Sequence, residues 1–268
     1  MKLTVARYAL TGQSPPHLTE TIVLAEKIHR ALVELSNGSP VFTGCDSSYR
    51  PLQGHGHAHI FCESNRGLGQ DGQGEITHIT VYAPMGFRFP EQKALHMLKE
   101  IYEVRESDVQ LALLGLGRPE DFGGTDQEKS ECPLLAKSRS WVSRTPFLPT
   151  RHPKVTRAGA LKRDATGLQI GSPEHDLRRL LRLAGFPDPV DVEPVPCTFS
   201  GGRDVPWHEF LRRRERGQGK PAVDGAGYGF RIEFPEPVQG PVAVGYASHF
   251  GMGGFEADGA RALIYKKE

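Results

Sequence analysis

The sequence has few of the features that mark secreted, zinc-binding or membrane proteins. Its 268 residues include only four cysteines, and none of them forms a CxxC pair. This spacing argues against a zinc site and against a secreted disulfide framework, and it indicates a reducing compartment. No apolar run approaches the ~20 residues that a membrane span needs. The first ten residues also lack the apolar region of a signal peptide, so we expect a cytoplasmic protein with no membrane partner.

A large net charge is also lacking, because the formal charge of the whole chain is only +1. The charge is unevenly distributed, however. Residues 137–220 hold 17 Lys or Arg against 9 Asp or Glu, whereas residues 1–136 hold 12 against 17. A basic block of this size is typical of proteins that bind a polyanion, although a solvated helical face gives the same count.

Hydrophobic periodicity in the first half of the chain predicts four strands and two helices. The predicted strands are residues 2–10, 55–62, 75–84 and 108–117. The predicted helices are residues 19–35 and 90–102. This βαββαβ order is that of a ferredoxin-like domain, in which both helices cover one face of an antiparallel sheet.

The second half looks like a less regular copy of the first. Its predicted strands are residues 138–150, 190–199, 228–234 and 241–248. A helix is predicted at 173–184, and a short helical piece at 207–216. We therefore expect an α+β protein with antiparallel sheets in two tandem ferredoxin-like domains, residues 1–122 and 132–268.

Three histidines, His55, His57 and His59, alternate along the predicted strand 55–62. Alternate residues of a strand share a face, so the three rings should line one side of the sheet. An HxHxH strand can bind a metal, but no carboxylate or cysteine is placed to complete a site, so we expect neither a metal nor another cofactor. A neutral imidazole can instead act as a general base toward a hydroxyl group.

A second histidine motif, His78-Ile79-Thr80, matches the HxT element of two-histidine phosphoesterases. The sites of those enzymes pair two such elements, and this sequence contains one. The phosphoesterase interpretation is therefore the weaker alternative.

The segment 138–154 interleaves basic and aromatic residues. Its candidate phosphate ligands are Arg139, Arg144, Arg151 and Lys154, with His152 beside them. Trp141 and Phe147 are placed to stack on bases, as single-stranded or loop RNA recognition requires. The alternative is a strand with buried aromatics and solvated cations.

Two further groups of residues are candidates for RNA contacts. Arg178, Arg179 and Arg182 form a basic stripe on the predicted helix 173–184, where they can follow a duplex backbone. The glycine-rich segment 240–255 (GPVAVGYASHFGMGGF) is expected to turn its amides toward phosphates, with Ser248 and His249 as the contacting side chains. Arg212, Arg213, Arg214 and Arg216 can add phosphate contacts or form a solvated surface run.

Several segments together resemble one family. The segments GHGHAHIF, ITHITVYAP, SRSWVSRTPFLPTRH and FPEPVQGPVAVGYASHFGMGGF, with VARYAL and its following helix, are similar to the CRISPR repeat-RNA processing endoribonucleases of the Cas-six family in the RAMP superfamily. The similarity is to the form found in type I-U (I-G) systems, where this domain is usually fused to a Cas-five domain. It extends along nearly the whole chain.

This resemblance implies metal-independent cleavage of CRISPR repeat RNA. In the family, the 2′-hydroxyl beside the scissile phosphate attacks it and leaves 2′,3′-cyclic phosphate and 5′-hydroxyl ends. The resemblance makes His57 or His59 the expected base, with His55 as a third candidate, and makes His152 a proton donor or alternate base. It implies a repeat-RNA hairpin as partner, with product retention and assembly with a Cas-five domain and other subunits of a type I interference complex. A non-catalytic RNA-binding subunit is the main alternative.

Overall fold

Two antiparallel sheets, one in each half of the chain, organise the computed structural model. The structure describes residues 2–54, 56–64, 74–104, 107–123, 132–211, 213–214 and 227–259. Within these residues, no helix combines the length and the apolar character needed to cross a membrane.

The first sheet is ferredoxin-like with one additional edge strand. Its strands are β1 (Val5–Thr11), β2 (His59–Ser64), β3 (Ile76–Tyr82), β4 (Glu100–Val104) and β5 (Ser107–Gly117). The helices of this half are α1 (Thr21–Leu35), α2 (Pro40–Thr43), α3 (Phe89–Met97) and α4 (Pro119–Gly123). The spatial order is β2-β3-β1-β5-β4, and α1 and α3 pack with one face of the sheet in a common apolar core. Without β4, this is the ferredoxin-like order.

The second sheet repeats this order with four strands. They are β6 (Lys137–Ser143), β7 (Asp191–Val195), β10 (Gly229–Gln239) and β11 (Phe255–Ala257), and α5 (Pro173–Leu183) covers the sheet. A separate hairpin is formed by β8 (Cys197–Ser200) and β9 (Arg203–Pro206). The order β11-β6-β10-β7 places the first and third strands in the centre, as in the first sheet. The predicted α+β fold with tandem ferredoxin-like sheets is confirmed.

Two of the predicted elements differ markedly from the structure. The predicted helix 90–102 ends at Met97, because Glu100–Val104 pairs with β5 as an edge strand. The predicted strand 241–248 is wrong, since Gly245 and Ala247 have φ values of 106° and 59° that an extended strand does not allow. The final strand is β11. The glycine-rich segment thus takes the chain position of the second helix and contains a single 3₁₀ turn, Ser248–Phe250.

The two halves are packed against each other. Val5 and Phe61 of the first sheet share an apolar cluster with Leu134 and Leu135, which precede β6. A second cluster joins Leu18 and Ile22, at the start of α1, to Trp207 and Met252 of the second half. The glycine-rich segment therefore lies between the halves.

Candidate functional site

Three histidine rings stack where the glycine-rich segment docks on the first sheet. The ring of His249 lies between those of His57 and His59, at centroid distances of 3.7 and 3.9 Å. The rings of His57 and His59 are 6.4 Å apart. Two of the predicted catalytic histidines are thus brought together, with a third imidazole from the other half of the chain. We call His57, His59 and His249 the histidine stack.

The histidine stack does not come from a shared strand face. β2 begins at His59, so His57 lies in the bend before the strand, and His55 lies outside the described residues. The prediction of a common strand face is therefore wrong for His57. Its ring lies against Gly44, where a Cβ atom would approach the ring to 2.9 Å. Gly44 has a φ of 67° and ends α2, so glycine suits this position in both shape and conformation.

Backbone carbonyl groups orient two of the three rings. Nδ1 of His59 lies 3.3 Å from the carbonyl oxygen of Ser248. Nδ1 of His249 lies 3.1 Å from the carbonyl oxygen of Ala58. A carbonyl oxygen only accepts hydrogen bonds, so both Nδ1 atoms must carry the proton. In the neutral rings the basic lone pair then belongs to Nε2, which is the atom that can accept a proton from a substrate.

The glycine-rich segment turns its amides inward. The N–H groups of residues 248 and 250–253 donate to carbonyl oxygens of the segment itself or of Pro146, at 2.8 to 3.3 Å. The prediction that these amides face a ligand is wrong. Ser248 is buried, whereas His249 is half-buried. The segment therefore positions an imidazole and does not form a nest of amides for an anion.

A cleft of about 360 Å³ lies beside the histidine stack, between the two halves. Its walls include His59, Phe61 and Tyr82 from the first half and Thr150, Leu180 and Leu183 from the second. Leu183 is 66% exposed at the end of α5. Aromatic and aliphatic walls next to imidazoles suit an unpaired nucleobase, which can stack there while its ribose meets the rings.

Arg144 is a structural residue and not an exposed phosphate ligand. Its side chain is only 9% exposed, and its Nε lies 3.7 Å from the Glu256 carboxylate. Its guanidinium also donates to the Ser64 hydroxyl and to the Phe199 carbonyl oxygen. These contacts join β2, β8 and β11, and they contradict the predicted RNA contact.

Trp141 and Phe147 lie in the core of the second half, and both are fully buried. They cannot stack on RNA bases. The alternative interpretation of the segment 138–154, with buried aromatics and solvated cations, describes this part of the chain except at Arg144, which is itself buried.

Two of the three arginines on α5 are neutralised by neighbouring carboxylates. Arg178 lies 3.0 Å from Glu174, and Arg179 lies 2.7 Å from the fully buried Asp176. Arg182 is exposed and makes no ion pair within the described part of the chain. The predicted basic stripe therefore presents one unpaired cation. These two ion pairs could have been predicted from the sequence, because an acidic residue three or four positions before an arginine pairs with it on a helix.

Four other predicted basic residues, all in the segment 138–154, are exposed. Arg139 is 53% exposed, and its guanidinium lies 3.8 Å from Glu233. Arg151, His152 and Lys154 follow β6 in the chain and lie at the surface, with no ion pair to another described residue. They are available to a polyanion. Arg212 and Arg216 lie outside the described residues, while Arg214 pairs with Glu26 at 3.0 Å.

The HxT motif lies in a second cavity, of about 270 Å³, that His78 shares with Arg7 and Glu63. Burial, and then the Arg7 charge, hold the pKa of His78 below its ordinary value. Thr80 is fully buried and donates to the Glu63 carboxylate at 2.6 Å. The threonine of the motif thus supports the sheet and does not face a substrate.

The described residues include no group of three or more His, Cys, Asp or Glu arranged to hold a metal ion. The rings of His57 and His249 lie face to face, and ligands around one ion do not adopt that arrangement.

Comparisons with known proteins return solved structures alone. No family model matches the sequence, and no curated protein matches it at a significant level. A Cas6-related protein from Pyrococcus furiosus aligns over 95% of this chain and 98% of its own, with 9% sequence identity and a TM-score of 0.44. A Cas6 product complex aligns over 94% and 98% of the two chains, with 13% identity and a TM-score of 0.38.

Proposed function

We propose that this chain binds CRISPR repeat RNA and cleaves it without a metal ion, as its sequence resemblance implies. The histidine stack, at the edge of a cleft that admits an unpaired nucleotide, is the observation that carries the proposal. The reaction needs a base for the 2′-hydroxyl, a proton donor for the 5′-oxygen and cations near the phosphate. We assign the base and the proton donor to imidazoles of the histidine stack.

The base is an imidazole of the first half. His59 lines the cleft, and its Nε2 carries the lone pair when the ring is neutral. His57 lies on the other side of His249 and is the second candidate. Removal of the 2′-hydroxyl proton lets that oxygen attack the adjacent phosphorus. The P–O5′ bond then breaks, and a 2′,3′-cyclic phosphate forms.

His249 is the proposed proton donor to the leaving 5′-oxygen. At ring distances of 3.7 and 3.9 Å, two imidazolium charges in the histidine stack would repel each other. That repulsion is roughly 4 kcal/mol at an intermediate dielectric constant. When one ring is protonated, its neighbour therefore tends to stay neutral. General acid and base catalysis requires this combination of one protonated ring and one neutral ring. His152 is the alternative donor, and Arg151 and Lys154 would supply positive charge near the phosphate.

The finer features of the resemblance belong to the same proposal. They are a type I-U (I-G) system, a hairpin repeat, product retention and assembly with a Cas-five domain in the cytoplasm. We also propose that residues 1–122 and 132–268 form the two domains. The first sheet ends at Gly117 and the second begins at Lys137, which agrees with that division.

The test is single-turnover cleavage of labelled repeat RNA by excess protein in EDTA. Cleavage that a 2′-deoxy substitution at the scissile position abolishes would support the proposal. We expect alanine at the base, His57 or His59, to slow cleavage by roughly 10²-fold or more with little change in RNA affinity. His96→Ala is the matched control, because His96 is exposed on α3, away from the stack.

Two outcomes would contradict this proposal. If the wild-type protein shifts the RNA but leaves it intact, the chain is a non-catalytic RNA-binding subunit. If the triple variant His57→Ala, His59→Ala, His249→Ala is folded and cleaves at the wild-type rate, the histidine stack is not the active site. Thermal unfolding of each variant shows whether a slower rate reflects chemistry or a lost fold.

A further inference from the structure

Residues 154–170 form two consecutive hairpins with the same design. The first spans Lys154–Leu161 and the second Lys162–Gln169, so each covers eight residues. Each hairpin reverses at a glycine with a left-handed backbone, Gly159 (φ 81°) or Gly167 (φ 85°). Each glycine N–H donates to the carbonyl oxygen three residues earlier, on Thr156 or Asp164. We call residues 151–170 the double-hairpin arm.

The main chain holds the two hairpins in one rigid unit. The N–H of Lys154 donates to Ile170, that of Lys162 to Lys154, and that of Ile170 to Lys162, at 2.8 to 3.1 Å. Three chain segments eight residues apart are thus tied to one another. The arm is an ordered element, although it contains neither a helix nor a regular strand.

Both ends of the arm are attached to α5. The N–H and hydroxyl of Thr150 donate to the buried Asp176 carboxylate at 2.6 and 2.9 Å. Beyond the other end of the arm, the N–H of Gly171 donates to Nδ1 of His175, at 3.2 Å. Gly171 has a φ of 79°, and a Cβ there would lie 2.2 Å from the His152 carbonyl oxygen. The base of the arm is therefore fixed relative to the cleft that Thr150 lines.

Among the described residues of the second half, the arm carries most of the basic charge that carboxylates leave unpaired. Its cations are Arg151, Lys154, Arg157, Lys162 and Arg163, and all of them are exposed. Its one acidic residue is Asp164, so its net charge is +4. Arg144, Arg178 and Arg179, by contrast, are paired with carboxylates. Within the described part of this half, the arm therefore offers a polyanion a concentrated patch of unpaired positive charge.

The arm has few of the aromatic side chains that read unpaired RNA. It contains no Phe, Tyr or Trp to stack on single-stranded bases, and its one imidazole, His152, lies at its base. Lysine and arginine side chains on a rigid support instead contact phosphates, whose positions are regular only in a duplex. The arm thus differs from the adjacent cleft, whose Phe61 and Tyr82 suit an unpaired base.

We infer that the double-hairpin arm binds the phosphate backbone of a base-paired RNA stem through Arg151, Lys154, Arg157 and Lys162. This inference rests on the proposed function, since the stem belongs to the RNA whose unpaired nucleotide enters the cleft. The arm holds the stem, and the histidine stack cuts beside it. Arg163 is left out, because its guanidinium donates to the Gly167 carbonyl oxygen at 2.6 Å and supports the second hairpin.

The test compares two variants that each lose four positive charges. The arm variant is Arg151→Gln, Lys154→Gln, Arg157→Gln and Lys162→Gln. The control variant is Arg50→Gln, Lys93→Gln, Lys99→Gln and Arg118→Gln, all exposed residues of the first half. Dissociation constants are measured from low to high salt for a perfect RNA duplex and for one of its strands, chosen so that it does not fold.

We expect the arm variant to bind the duplex at least about 30-fold more weakly near physiological salt, with a salt slope smaller by about 3. Its affinity for the single strand should fall less than about 3-fold, and the control variant should bind both RNAs nearly as the wild type does. Equal losses for duplex and single strand would overturn the stem assignment. No loss for either RNA would overturn the arm as a binding element.

A deletion checks that the result does not depend on the glutamines. Residues 155–169 are replaced by a Gly-Ser turn, since the hydrogen bond between Lys154 and Ile170 keeps the two ends together. The folded deletion variant should lose duplex affinity as the arm variant does, and unchanged affinity would refute the inference. If the wild-type protein binds and cleaves repeat RNA while both arm changes have no effect, the arm assignment alone fails. If the wild-type protein binds no RNA, the proposed function fails as well.

Discussion

Gly251 is the point where the glycine-rich segment comes very close to β2, and its replacement by alanine tests how the histidine stack is held. Its φ is 77°, in the left-handed region. An alanine Cβ would lie 2.8 Å from the carbonyl oxygen of Ile60 and 2.7 Å from Cγ2 of Thr21. The backbone carbonyl cannot rotate away like the end of a long side chain, so the segment itself must shift.

The expected cost of Gly251→Ala has two parts. A left-handed conformation costs a residue with a Cβ about 1 to 2 kcal/mol. An extra methyl group in a packed site costs about 1 to 3 kcal/mol more. We therefore expect a loss of about 2 to 5 kcal/mol in the free energy of unfolding, a large part of the stability of an ordinary domain. Because His249 lies two residues away, a shift of about 1 Å should also slow cleavage by roughly 10²-fold.

Gly202→Ala is a closely matched control. Gly202 lies at the exposed turn between β8 and β9 with a φ of 75°, and a Cβ there would meet no atom within 4 Å. It should cost only the conformational part, about 1 to 2 kcal/mol, with an unchanged cleavage rate. Urea unfolding followed by far-ultraviolet circular dichroism gives the stabilities, and single-turnover assays give the rates. Equal stabilities and equal rates for the two variants would refute the close contact at Gly251.

Two further predictions concern stability. Arg144→Gln breaks a buried ion pair with Glu256 and should cost about 3 to 5 kcal/mol, whereas Arg139→Gln, at an exposed pair, should cost less than about 1 kcal/mol in the same urea titration. Burial holds the pKa of His29 below its ordinary value of about 6.5. Below that pH the unfolded chain binds more protons than the folded protein, so the free energy of unfolding decreases as the pH falls. His29→Gln, which can still donate a hydrogen bond toward the Phe42 carbonyl oxygen, should therefore lose less stability than the wild type between about pH 7.5 and 5.5; equal losses would contradict this assignment.

Local sequence patterns predicted most of the elements because each depends on neighbouring residues. The predicted helix 173–184 matches α5, which starts after the N-cap Ser172 with Pro173 at its first position. Apolar alternation located β3 and β5 to within two residues. The boundary at Met97 was missed because the pairing of β4 with β5 overrides the helical pattern of residues 98–102.

The candidate site depended on contacts that no local pattern encodes. His59 and His249 are 190 positions apart, and their stacking follows from the way the glycine-rich segment crosses β2. Glycine content predicted a loop, but it did not predict that the loop amides would bond inward, because that depends on what the loop packs against. The sequence analysis did not identify Arg157 and Lys162 as candidate RNA contacts, although a local pattern marks them. Their eight-residue repeat is visible in the sequence as KVTRAGAL followed by KRDATGLQ.

The separation of the arm from the histidine stack has a consequence for the proposed reaction. The arm is fastened to α5 through Thr150 and Asp176, whereas His249 is held by the contact of Gly251 with β2. The attachment of the arm to α5 does not depend on the contact between Gly251 and β2. A change that displaces the glycine-rich segment should therefore leave stem binding intact and remove the ring that completes the stack, so the RNA stays bound and uncut. If binding and cleavage were lost together in Gly251→Ala at unchanged global fold, the two would share one element, and the division of roles between arm and stack would be wrong.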